Sequence, residues 1–172
     1  MTPSSPNPDI LKAPGATGDY HTNIASKGVT AVDALTDPAR GYEFGFLHIK
    51  AVDDAGHDRN LALKIKFLEE IDRMLAAAVE RLRQHDRDGE RYSIAVTGDH
   101  STPYLTGDHS CEPVPFVLAR VRDLGGARSG DWPSDGVERF SEHAAHAGFL
   151  GRFVGGETME VVKRLACAKN AA

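Results

Sequence analysis

The sequence predicts an α/β fold: a mixed, mostly parallel sheet flanked by helices. Three observations carry that reading. Helix-like and strand-like segments alternate along the chain, the pattern of layered α/β domains. Phe44 to Ile49 is nearly continuous in apolar residues, as a strand covered on both faces is. Leu61 to Leu82 repeats its apolar residues at helical spacing.

The elements follow in order. Residues 1–20 form an irregular lead, because Pro3, Pro6, Pro8, Pro14 and Gly15 oppose regular structure. Asn23 to Leu35 has a weak helical period, lowered by Gly28 and stopped by Asp37-Pro38. Phe44–Ile49 is the first strand, and His48 within it reads as a packed or hydrogen-bonded core residue. The helix Leu61–Leu82 sets Leu61, Ile65, Leu68, Leu75, Val79 and Leu82 on one stripe, which should face the sheet. A charged turn, His85–Glu90, leads to a second strand at Tyr92–Thr97. Val114–Val121 is a third strand, and Asp123–Gly136 is a glycine-rich loop holding Trp132. Phe149–Leu165 closes the chain as a helix.

Composition bounds the function. With 172 residues the chain is one domain or part of a larger one, and at 41% hydrophobic it can bury a core. A formal net charge of −5 argues against a general electrostatic grip on nucleic acid. No apolar run approaches the roughly 18 residues of a membrane span. Met1–Asp9 is polar and proline-rich, unlike a secretory signal. Cys111 and Cys167 lack knuckle spacing, which fits a reduced, cytoplasmic setting.

Three short motifs hold ligand-type residues: Asp53-Asp54-Ala55-Gly56-His57, Gly98-Asp99-His100, and His109-Ser110-Cys111-Glu112-Pro113-Val114-Pro115. The first two follow strand ends, where open α/β sheets place their sites. Carboxylate oxygens and neutral imidazoles suit zinc or manganese. Asp53 and His57 are four apart, so one turn aims both at one ion. Asp99 and His100 are adjacent, and a sharp turn after Gly98 would splay them around one ion or toward two.

Alone, each motif is the chemistry of a turn. Asp54 and Asp58 read as loop or capping residues. His21, His85, His143 and His146 have no partner motif. Thr97-Gly-Asp-His-Ser101 recurs at Thr106–Ser110, an offset too short for an internal structural repeat, which leaves Asp108 ambiguous.

Together and in this order, the motifs resemble the alkaline-phosphatase superfamily, most closely the archaeal-type cofactor-independent phosphoglycerate mutases. The resemblance runs from about Pro14 to about Leu165. It is strongest at Pro14–Gly18, His48–Lys50 with Asp53–His57, Val96–Pro103, Pro113-Val114-Pro115 and Phe149–Arg152. It implies that residues 21–172 are the C-terminal part of an alkaline-phosphatase-like metal-binding domain, incomplete in this chain. It implies two divalent ions, manganese or zinc: one on Asp53, His57 and His109, the other on Asp99 and His100. In the family a first aspartate and a nucleophilic serine or threonine complete the second site. Phosphate passes through a phosphoenzyme on that hydroxyl, interconverting the glycolytic 3- and 2-phosphoglycerates.

The chain departs from the family in length, for a full enzyme is more than twice as long. Ser4, Ser5, Thr17 and Ser26 are the upstream candidates for the nucleophile, and none follows a strand that could start the sheet. Three expectations follow. The chain is a mutase portion that acts on phosphoglycerate when a partner chain completes it, with self-association as an alternative. Or it is a non-catalytic metal-binding or regulatory remnant. Or it is an autonomous metal-dependent phosphohydrolase, since a divalent ion lowers the pKa of bound water to about 7.

Overall fold

The computed structural model describes residues 9–86, 92–125 and 134–166 and divides into two units, Met1–Arg81 and Leu82–Ala172. Part of the expected lead, most of the charged turn, the Trp132 segment and Cys167 lie outside the described residues.

In the first unit, residues 9–20 are irregular, as Pro14 and Gly15 favour. Gly15 takes φ 69°, a left-handed turn that a side chain resists, and its carbonyl accepts from the Asn23 N–H at 3.0 Å. Helix α1 then runs Ile24–Thr36. The Asn23 side chain caps it by accepting from the Ser26 N–H at 2.9 Å, and Asp37 closes it ahead of Pro38. Gly28 lies against Met74, where a β-carbon would come within 2.5 Å of Cγ. The glycine that weakens the helix period is thus what lets α1 approach the following long helix.

Phe44–Ile49 is not a strand. The segment has no regular structure and no strand partner among the described residues, with Phe46 82% exposed and only Ile49 packed against the core. Its apolar pattern suits a ladder, but a strand without a hydrogen-bonding neighbour is not stable by itself. His48 is correspondingly exposed rather than packed, and its carbonyl accepts from Lys27 Nζ at 3.1 Å.

A short helix, α2, follows at Ala51–His57, where the sequence reading placed a turn. Its small residues Ala51, Ala55 and Gly56 are buried, leaving the face with Asp53, Asp54 and His57 for polar work. Helix α3 spans Leu61–His85, longer by three residues than expected. The core of this unit joins Ile24, Ala51, Ala55, Phe67 and Met74, with Tyr20, Leu63, Ile71, Leu75 and Ala78 packed on it.

The buried face of α3 corrects the expected stripe. Phe67, Ile71, Met74 and Ala78 point inward, whereas Leu61, Ile65 and Leu68 are exposed; of the expected stripe, Leu75 packs on the core and Leu82 is buried. The inward face is rotated from the predicted one by roughly a quarter turn at 3.6 residues per turn. Apolar residues occupy more than one stripe of this helix, and the bulk of Phe67 and Met74 settles which stripe meets α1 and α2.

In the second unit, β1 (Ser93–Thr97) and β2 (Phe116–Arg120) match the second and third expected strands within two residues. Their pairing is antiparallel, Ser93 opposite Arg120 and Thr97 opposite Phe116. A mostly parallel sheet is therefore not what the described residues form; they give helices and a small two-stranded antiparallel sheet. Antiparallel neighbours need only a returning chain, and residues 98–115 supply it.

A 3-10 turn at Val121–Asp123 follows β2, with fully buried Val121 donating its N–H to the Tyr92 carbonyl at 3.0 Å. Helix α4 is a single turn, Glu142–Ala145, capped by the Ser141 side chain. The closing helix, α5, spans Thr158–Ala166 and begins nine residues later than expected. Gly151, at φ 65°, and the Gly155-Gly156 pair hold the preceding chain out of the helix. Among the described residues no helix is long and apolar enough to cross a membrane.

Candidate metal centre

In the first unit, α2 carries the donors. Asp53 and His57 stand at i and i+4, so they share a face. His57 Nε2 lies 3.3 Å from Asp53 Oδ1. Lys50 precedes the helix, with Nζ 3.2 Å from Asp53 Oδ2 and an ion pair to Asp54. The Asp54 and Asp53 carboxylates hold the Lys50 ammonium above the usual lysine range. Lys50 thus offsets negative charge on a helix face that gathers two carboxylates within one turn.

The far end of α2 is tied by Tyr20. Its hydroxyl donates to the Asp54 carbonyl at 2.7 Å and also faces the Asp58 carboxylate. Burial, then the hydrogen bond to Asp58, pushes the phenol up to about 12. The Tyr20 ring stacks on Phe67 at 6.1 Å, which ties this contact to the core. Asp58 is the C-cap of α2, and Asp54 sits in its first turn. Nothing in the three sequence motifs marks Lys50 or Tyr20 as a site residue. Lysine three and four residues before two aspartates was the signal for the first; the second, remote in sequence, had none.

In the second unit the donors lie in the chain that returns from β1 to β2. A bend at Asp99-His100 turns the two side chains together, with His100 Nε2 3.4 Å from Asp99 Oδ2. The Asp99 carboxylate also accepts from the His100 backbone N–H at 3.1 Å. Asp108 does the same for His109 at 2.8 Å. Ser101 and Ser110 pair as an isolated antiparallel bridge, so the two Thr-Gly-Asp-His-Ser segments meet at their last residues. The His100 and His109 rings consequently pack with centroids 3.7 Å apart. The short repeat is not a structural repeat, yet both copies use one local device, an aspartate that caps the next histidine.

The donor sets fit a divalent ion. Two ligands each about 2.0–2.1 Å from one tetrahedral zinc lie about 3.3 Å apart. The Asp53–His57 and Asp99–His100 separations, 3.3 and 3.4 Å, match that spacing. Oxygen and nitrogen donors without sulfur also suit manganese. Cys111 is exposed and free.

Comparisons with known proteins point the same way. The family described as the Metalloenzyme superfamily matches residues 5–152. The 2,3-bisphosphoglycerate-independent phosphoglycerate mutase of Pyrococcus horikoshii is 39% identical over 157 residues, covering 91% of this chain and 34% of that protein. The enzyme of the same name from Methanococcus aeolicus is 36% identical over 146 residues, 83% of this chain and 30% of its own. The solved structure of the PH0037 protein from Pyrococcus horikoshii superposes with a TM-score of 0.74 at 36% identity. It covers 95% of this chain and 44% of its own. The chain spans about a third of the length of the curated relatives it matches.

Proposed function

The chain belongs to the Metalloenzyme superfamily, and from that membership we propose that it is the metal-binding C-terminal portion of a phosphoglycerate mutase-like enzyme with an alkaline-phosphatase-like sheet. The observation that carries the proposal is the pair of aspartate–histidine separations, 3.3 and 3.4 Å, each suited to one shared ion. Asp53, His57 and His109 would hold one divalent ion, manganese or zinc, and Asp99 and His100 would contribute half of a second site. Two such ions would neutralise charge on a transferring phosphoryl group and its attacking and leaving oxygens.

The chain's own residues set the donors. Lys50 balances the carboxylates of α2, Tyr20 fixes the end of that helix, and Asp99 and Asp108 fix the backbone of the histidines that follow them. Among the described candidates Thr17 donates to the Asp19 carboxylate and Ser26 to the Pro14 carbonyl, and neither follows a strand that would present it at a sheet edge. We therefore infer that the nucleophile and the first aspartate of a cytoplasmic, glycolytic enzyme come from polypeptide other than the described residues, whether of this protein or of a partner.

Calorimetric titration with zinc or manganese tests the ligand grouping. His57→Ala is expected to abolish the tighter site and His100→Ala to spare it. Equal loss in both variants would show that the ligands group differently. Imidazole binds metal only when neutral, so affinity falls on acidification. The purified chain with manganese is expected to give no interconversion of 3- and 2-phosphoglycerate. Turnover by this chain alone would overturn the assignment, and hydrolysis of a generic phosphate ester would favour an autonomous hydrolase.

A further inference from the structure

We propose that Thr102 is a positioning residue for His100: its hydroxyl accepts a hydrogen bond from the Nδ1–H and so reserves Nε2 as the metal-binding nitrogen. The inference rests on the reading of Asp99 and His100 as ligands.

The two ring nitrogens of His100 face different neighbours. Nδ1 lies 3.2 Å from Thr102 Oγ1, and Nε2 lies 3.4 Å from the Asp99 carboxylate. The threonine is only 5% exposed, whereas the Asp99 side chain is 71% exposed. The shorter contact is thus the one shielded from water, where a hydrogen bond is least diluted by solvent. The contact on the Asp99 side is longer than an ordinary N–H···O bond.

A neutral imidazole has one N–H and one lone pair, and the partner of the first decides where the second points. With the proton on Nδ1, the lone pair at Nε2 is directed toward Asp99, the neighbour with which it would share an ion. The His109 ring packs on His100 at 3.7 Å and restrains its orientation. The sequence offers this partner to only one of the two histidines. The residue two after His100 is Thr102, but the residue two after His109 is Cys111, which is exposed.

Nitrogen-15 NMR of the metal-free full chain at mildly alkaline pH reads the tautomer directly. Wild-type His100 is expected to carry its proton on Nδ1. Thr102→Val keeps the shape but removes the acceptor, and should move the proton to Nε2. Thr102→Ser restores the hydroxyl and should restore the Nδ1–H form. In a zinc titration, Thr102→Val should weaken binding at the site that depends on His100 by about 10–100-fold, as loss of a ligand's hydrogen-bond partner does. Thr102→Ser should stay within a few-fold of wild type. A wild-type His100 protonated on Nε2, or a tautomer unchanged in Thr102→Val, would overturn the proposal. His100→Ala with unaltered zinc binding at both sites would instead remove His100 as a ligand, a failure of the underlying reading that the tautomer measurement distinguishes. Thermal melts of the two threonine variants separate either result from loss of the fold.

Discussion

The Tyr20 phenol faces two acceptors and has one proton to share between them. Burial and the Asp58 carboxylate both disfavour the phenolate, so the group ionises near pH 12 in the folded chain, against about 10 for a free tyrosine. The folded pKa is raised. Tyr20 therefore contributes stability that is complete below about pH 10 and is lost as pH rises through about 12. In an ultraviolet phenolate titration the last-ionising tyrosine should be Tyr20. Tyr20→Phe should remove that phase and lessen the alkaline decline in stability. If the late phase survives in Tyr20→Phe, the assignment is wrong; Tyr42, raised by its hydrogen bond to Asp9, is then the residue to test. At this scale the sequence made the side-chain types and the i, i+4 spacing of Asp53 and His57 legible, because helix geometry is local. It did not reveal Tyr20, which reaches α2 from more than thirty residues away.

The long helix α3 shows what a periodic pattern fixes and what it leaves free. Its length and amphipathic character follow from spacing, but its rotation follows from what it meets. Phe67 is 4% exposed and Leu68 is 50% exposed, although the two are adjacent. Phe67→Ala is expected to cost about 3–5 kcal/mol, and Leu68→Ala less than about 1 kcal/mol, as for a substitution that opens no cavity. Chemical denaturation compares the two, and a larger loss for Leu68→Ala would reverse the assigned face. Gly28 gives a second test at the contact of α1 with α3. Alanine gains about 1 kcal/mol in helix propensity, yet its β-carbon would sit 2.5 Å from Met74 Cγ and 2.6 Å from Sδ. Overpacking costs about 1–3 kcal/mol, so Gly28→Ala should lower Tm. The loss should shrink in a Met74→Ala background, because the two positions are coupled. Equal losses in both backgrounds would mean that Met74 is not what Gly28 accommodates.

At the scale of the whole chain, the unspent apolar surface is the main feature. Phe44, Phe46, Leu105, Phe140, Phe149 and Val154 are all exposed, and the chain spans about a third of its curated relatives. Exposed apolar groups at this density favour association. Sedimentation should show concentration-dependent self-association or aggregation, reduced by Phe46→Asp; a monomer at all concentrations would contradict it. The sequence by itself determined the kinds of donor, their local spacing, the periods of α1 and α3, and the positions of β1 and β2. These are properties of neighbouring residues. The tertiary structure decided that β1 and β2 run antiparallel, that the two Asp-His segments meet at Ser101 and Ser110, that Phe67 rather than Leu68 faces inward, and that Phe44–Ile49 joins no sheet among the described residues. Each depends on a partner distant in sequence, because a strand's hydrogen bonds and a helix's buried face are completed only by the element they meet.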